Sequence, residues 1–253
     1  MSQSAPHGPH GICVIDKPAG MTSHAVVARM RKVLATRKIG HAGTLDPMAT
    51  GVLVLGVGQG TRLLTYLVGV DKQYQATIRL GIATSTDDAE GEIVAQSSTA
   101  HLDAAVIQQA MSSFLGTIDQ VPPAVSAIKV AGKRAYTRAR AGEQVELSAR
   151  RVQIGAFTMI RAEHIDDEYF DIDVAVHCGS GTYIRSLARD LGQLLGTHGH
   201  ITALRRTRVG PFTIAQATPL REELQDGDLN LLGLGTVAPL LLTTAEVSPE
   251  QAQ

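Results

Sequence analysis

The chain has 253 residues, 44% of them apolar and 19% charged, with a formal net charge of −1. Such a length holds one large core or two small ones, and such a balance excludes disordered and fibrous classes. No apolar run approaches the ~20 residues that cross a bilayer, the opening MSQSAPHGPHG carries neither a basic start nor an apolar signal core, and the two cysteines, Cys13 and Cys178, form neither a disulfide framework nor a Cys-rich zinc site. A cytoplasmic location is expected.

Taken in chain order, Ile12 to Asp16 reads as a strand that stops at the turn Lys17-Pro18-Ala19-Gly20. Ser23 is expected to cap a helix whose apolar stripe is Val26, Val27, Met30, Val33 and Leu34. Val52 to Val57 is a buried-strand candidate, and Thr61 is expected to cap a helix through Leu67. Gln73 to Leu80 alternates as a strand, Thr84 to Glu92 is a polar loop, and Leu102 to Leu115 is a helix ended by Gly116. After Pro122-Pro123 a basic, Ala- and Gly-rich stretch to about Arg150 is expected to project as an arm. Arg151 to Arg161 and Tyr169 to Cys178 read as an antiparallel hairpin, Tyr183 to Leu195 as a helix, and His200 to Val209 as extended chain. Strands and helices mix without strict alternation, so the expected class is α+β with a mixed, largely antiparallel sheet flanked by helices.

The charge is unevenly spread. From residue 215 onward one basic residue faces six acidic ones, leaving 22 basic against 18 acidic before it. The basic residues there cluster: Arg29, Arg31, Lys32, Arg37 and Lys38; Lys129, Lys133, Arg134, Arg138 and Arg140; Arg205, Arg206 and Arg208. Each cluster could meet phosphates, or be a solvated face.

The run Gly40-His41-Ala42-Gly43-Thr44-Leu45-Asp46-Pro47-Met48-Ala49-Thr50-Gly51 sets one Asp among three glycines and a proline, directly before an apolar strand. That composition permits a sharp turn and close approach of a substrate, with a carboxylate at the mouth of a rigid strand. Composition alone favours an Asp that hydrogen-bonds its own turn.

This run resembles the central motif of the TruB family, enzymes that isomerise uridine in the T-loop of tRNA. The resemblance continues in order through Asp16-Lys17-Pro18-Ala19-Gly20-Met21-Thr22-Ser23, Asp71-Lys72-Gln73-Tyr74, Ser126-Ala127-Ile128-Lys129, Gly181-Thr182-Tyr183-Ile184-Arg185 and Leu204-Arg205-Arg206, covering about residues 11–210. It implies a pseudouridine synthase fold over 10–214, including an RNA-gripping arm at about 122–150, and an acidic segment at 215–253.

The resemblance also implies roles. Asp46 becomes the nucleophile: a carboxylate can add to a sugar carbon or stabilise positive charge there, and attack on the sugar, attack on the base and assistance to a glycal route all stay open. Arg185 matches the arginine that pairs with it and would lower its pKa. Tyr74 matches a tyrosine that stacks on the target base and takes part in proton transfer. His41 matches a histidine that helps hold the nucleotide extruded, and Leu204 a leucine lining the uracil pocket. Tyr183 would contact the nucleotide, sharing a face with Arg185 if the segment is extended. Lys17, Lys129, Lys133, Arg134, Arg205 and Arg206 are the candidate RNA contacts.

No metal or organic cofactor is implied, no protein partner is required, and a monomer is expected. Family members usually carry a further small C-terminal RNA-binding domain; the eleven residues after Leu242 are too few for one, so the chain is expected to be cut before it. Three other readings remain. One is a tRNA-binding folding chaperone acting without chemistry, another a relative directed by a guide-RNA complex. The third is a nucleotide-binding protein using Gly56 to Gly60, which lacks the glycine spacing of the known phosphate loops.

Overall fold

The computed structural model describes residues 8–124, 129–130, 133–134, 147–165 and 168–243. In chain order it runs β1 (Gly11–Lys17), α1 (Ser23–Val33), β2 (Ile39–Ala42), β3 (Thr50–Val57), a 3-10 helix (Gly58–Leu67), β4 (Lys72–Leu80), β5 (Ile82–Thr84), β6 (Ile93–Gln96), α2 (Ala104–Ser112), β7 (Gly116–Gln120), β8 (Lys129–Val130) and β9 (Lys133–Arg134). There follow β10 (Arg150–Ile165), β11 (Tyr169–Cys178), α3 (Ile184–Leu194), β12 (Gly199–Val209), β13 (Phe212–Thr213), β14 (Thr218–Pro219), β15 (Leu231–Leu232) and α4 (Leu234–Leu241). The chain divides into two compact units, one made of 1–70 and 206–253, the other of 71–205.

In the first unit β1 lies antiparallel to β3, with Val14 opposite Val54, and parallel to β14. β2 extends β3 on its other side. Alternation along β1 and β3 sends side chains to opposite faces. Cys13, Ile15, Leu53 and Leu55 pack under Val26, Val27 and Met30 of α1. Ile12, Val14, Val52 and Val54 pack with Leu67, Phe212 and Val237 on the other face. A strand covered on both faces needs apolar residues at every position, which is why Val52 to Val57 reads as an unbroken apolar run. Two expectations shift here. Thr22, rather than Ser23, caps α1, accepting from Ala25 N at 3.0 Å. The helix expected from Thr61 is a 3-10 helix that begins at Gly58.

In the second unit β4, β11, β10 and β7 pair antiparallel in that order. The expected hairpin is β10 and β11, with β10 running on to Ile165. Tyr74, Ala76, Ile78 and Leu80 form the buried face of β4, and helices α2 and α3 contribute Ile107, Met111, Leu187 and Leu191 to the interior. The other face is polar: Asp171 accepts from Arg79 Nε and Nη2 at 2.8 and 2.7 Å, and Asp173 accepts from Thr77 and Arg161. The mixed pairing of the first unit and the antiparallel sheet of the second bear out the α+β class. Most of the expected arm lies outside the described residues; Lys129–Val130 and Lys133–Arg134 pair as a short antiparallel hairpin.

Both cysteines are buried, and burial pushes the Cys13 thiol up to about 12 and Cys178 to about 11, from an ordinary 9.0. A thiol raised in the folded chain stays protonated while its unfolded counterpart ionises, so this contribution to stability is intact below pH 9 and fades as pH rises through the folded values. The native chain should therefore resist iodoacetamide at pH 8 and incorporate two labels once unfolded; native-state labelling of either thiol at the unfolded rate would contradict this burial.

Candidate active site

Asp46 sits half-buried in the loop between β2 and β3. The loop is tied down on both sides of it. Leu45, 4% exposed, anchors the preceding side, and its backbone N–H and C=O both bond the Ser23 hydroxyl, at 2.9 and 3.2 Å. On the following side the Asp46 carbonyl accepts from Ala49 N at 3.1 Å, and the Pro47 carbonyl accepts from Gly20 N at 2.9 Å and from the Lys17 ammonium at 3.1 Å. The Arg206 guanidinium donates to the carbonyls of Gly43 at 3.0 Å, Thr44 at 3.5 Å and Val52 at 2.8 Å. Gly51, where the loop enters β3, has φ of +100°, and a Cβ there would lie 2.1 Å from the Arg206 carbonyl oxygen. Glycine is required on both counts.

This bracing corrects two expected RNA contacts. Lys17 is 0% exposed, its ammonium also bonded to the carbonyls of Pro18 and Met21. Arg206 is 1% exposed. A cation needs surface to reach a phosphate, and both are instead spent on backbone carbonyls inside the unit. Arg205, the neighbour of Arg206, is half-exposed. Lys129, Lys133 and Arg134 have their side chains outside the described residues. Exposed cations do lie at Arg31, Lys32, Arg37 and Lys38, at and after the end of α1.

His41 lies on β2, its ring edge-on to His24 at 5.4 Å between centroids. Burial, with the charges of His24 and Arg206, holds its pKa below the ordinary histidine value, while a backbone contact at Gly43 pulls the other way. The imidazole is thus kept neutral beside the Asp46 loop at neutral pH.

The remaining expected residues belong to the second unit. Tyr74 projects from β4 and is 8% exposed; Leu204 on β12 is likewise 8% exposed. Tyr183 and Arg185 do not share an extended face, because α3 starts between them. Tyr183 is the extended residue before the helix, its N–H and C=O both bonded to the Gln120 side-chain amide at 2.8 and 3.1 Å. Arg185 lies in the first turn, buried, its Nη1 donating to the Thr86 carbonyl at 2.8 Å and standing 3.4 Å from Asp88 Oδ2.

Asp88 is a buried acid beside Arg185 that the sequence did not single out. It is 4% exposed and is held by Thr86 Oγ1 at 2.5 Å and Glu90 N at 3.0 Å. One turn along α3, Arg189 meets Asp87 at 3.1 Å. The signal was present as Arg185 and Arg189, four apart on a helix, and two adjacent acids in a polar loop. Nothing in the spacing pairs them. Ser23 and Arg206 were likewise visible as residues and silent about their partners.

The family model for TruB family pseudouridylate synthase (N terminal domain) matches residues 31–184, and that for the tRNA pseudouridylate synthase B C-terminal domain matches 185–228. Proteins named tRNA pseudouridine synthase B are similar over most of the chain. The one from Thermobifida fusca is 55% identical over 242 residues, 94% of this chain and 80% of its own length. The one from Nocardia farcinica is 57% identical over 221 residues, 87% and 72% respectively. Among solved structures, a Cbf5-Nop10-Gar1 complex contains a chain with TM-score 0.61 and 32% identity over 83% of this chain. An H/ACA RNP bound to a substrate RNA containing 2'-deoxyuridine gives 0.58 and 28%. This chain spans about half the length of each of those two solved chains.

Proposed function

The chain belongs to the TruB family of pseudouridylate synthases, and from that membership we propose that it converts uridine to pseudouridine in the T-loop of tRNA. The observation that carries the reading is the half-buried carboxylate of Asp46, the single acid in the sequence of a loop whose backbone is bonded on both sides of it. Asp46 acts as the nucleophile, adding to a sugar carbon or stabilising the positive charge that develops there. The N1–C1′ bond breaks, the uracil turns, C5 bonds to C1′ while any bond between C1′ and the Asp46 oxygen breaks and releases the carboxylate, C5 gives up its proton and N1 takes one.

Arg185 serves as the cationic partner of the nucleophile, Tyr74 stacks on the base and assists the proton transfer, and Leu204 lines the uracil pocket. His41 and Tyr183 hold the extruded nucleotide. Neutral His41 suits that task, since a packed neutral ring can lie against a base without a counter-ion. Extrusion costs a few kcal/mol, met by phosphate contacts from Arg205, Lys129, Lys133, Arg134 and the cations at the end of α1. Recognition of this kind weakens with salt. No cofactor is called for, the chain acts as a monomer, and it works in the cytoplasm; among the described residues no helix is long and apolar enough to cross a membrane.

The relatives are named as synthases, so the chaperone acting without chemistry is not favoured. The deciding experiment is tritium release from tRNA transcribed with C5-tritiated uridine. One equivalent per tRNA is expected, abolished by changing the T-loop uridine to cytidine. Firm tRNA binding with no release would return the chain to the chaperone reading.

A further inference from the structure

The braces around Asp46 are made by side chains with no part in the chemistry just described, and they share an unusual economy. Ser23 is 1% exposed and stands in the first turn of α1, where a serine ordinarily caps or bonds its own helix. Its hydroxyl instead reaches a residue 22 positions away and bonds both backbone groups of that residue, Leu45. The carbonyl it holds belongs to the peptide plane that joins Leu45 to Asp46, so the N-terminal side of the nucleophile cannot rotate without breaking that bond. Arg206 reaches the same loop from β12. Its guanidinium bonds three backbone carbonyls, those of Gly43, Thr44 and Val52. A buried cation bears a desolvation cost that apolar packing of equal volume would avoid. Keeping one here trades stability for a fixed position of the carbonyls it grips.

We infer that Ser23 and Arg206 are positioning residues that lock the backbone on the N-terminal side of Asp46 and thereby aim its carboxylate. The inference rests on the reading of Asp46 as nucleophile. With Ala49 and Gly20 bonding the carbonyls of Asp46 and Pro47 on the other side, the backbone that carries the carboxylate is held from both directions. Covalent attack demands placement within about 0.5 Å, and a misplacement of about 1 Å can cost on the order of 100-fold in rate. A serine or arginine that served only the core would be expected to affect folding and RNA affinity together, and chemistry only through them.

The test uses the full chain and two readouts. The first is amide exchange at Leu45, which depends on the brace and not on any activity. The second is the single-turnover rate of tritium release, measured beside the tRNA Kd. In Ser23→Ala the Leu45 amide should exchange at least about 10-fold faster, and the release rate should fall about 10- to 100-fold. Kd should stay within about threefold, and Ser23→Thr, which keeps the hydroxyl, should recover most of the rate. Arg206→Lys keeps the charge but reaches fewer carbonyls, and should show the same split of rate from Kd, which carries the test if Ser23→Ala does not fold. Faster exchange with an unchanged rate, or equal losses of rate and affinity that Thr does not repair, would overturn the inference. A wild-type chain that releases no tritium would instead defeat the functional reading, while the exchange result would still report on the brace.

Discussion

Asp46→Asn is expected to lower the single-turnover rate of tritium release by at least about 10⁴-fold, the scale seen when a nucleophile is removed from its constellation. The tRNA Kd should change by less than threefold. The substitution keeps shape and volume and removes the one property the chemistry needs, a full negative charge on an oxygen that can bond to carbon. The backbone bonds that hold the loop run through Leu45, Asp46 and Pro47 peptide groups and are untouched by the change. Loss of rate with retained affinity would thus belong to chemistry rather than to the fold. Rate retained within tenfold would move the nucleophile elsewhere.

Gly51→Ala should be strongly destabilising. At φ of +100° a non-glycine residue costs about 1–3 kcal/mol. The added Cβ would also sit 2.1 Å from the Arg206 carbonyl and 2.9 Å from its nitrogen, both backbone atoms of a paired strand that cannot turn aside. Overpacking of this kind costs about 1–3 kcal/mol more, so the sum removes a large part of the 5–15 kcal/mol or so that holds a typical domain together. The melting temperature should fall by about 10 °C or more. Any folded remainder should also show slowed release, because Arg206 would be pushed off the carbonyls it grips. A variant melting within 2 °C of wild type would mean that the two backbones are not in this contact.

How much of this was legible beforehand follows from the range of each interaction. Strand β3 and helix α1 were readable because their signals are local: an unbroken apolar run and a stripe at helical spacing. The cap of α1 was misassigned by one residue because Thr22 and Ser23 are both good caps, and sequence does not tell which hydroxyl is needed elsewhere. The residue types at the site were identifiable through an ordered set of motifs, yet composition alone left Asp46 as a turn residue. Lys17 and Arg206 were misread as RNA contacts because a cation in a sequence carries no mark of burial. Both reach carbonyls, and carbonyls exist at every residue, so no partner could be picked out. Asp88 escaped for a related reason, its arginine lying nearly a hundred positions away.

The first unit is assembled from two stretches of chain, residues 8–70 and 206–243, with the second unit's continuous 71–205 between them. The Arg206 guanidinium grips Thr44 across a separation of 162 residues. On a ribosome extending by about 5–20 residues per second, the Asp46 loop therefore emerges on the order of ten seconds before its arginine does. The uninterrupted second unit is free to fold in that interval, while the first holds only the contacts made within residues 8–70. Catalytic competence is then among the last properties the nascent chain acquires, and an incomplete chain that meets tRNA does so with its carboxylate not yet aimed.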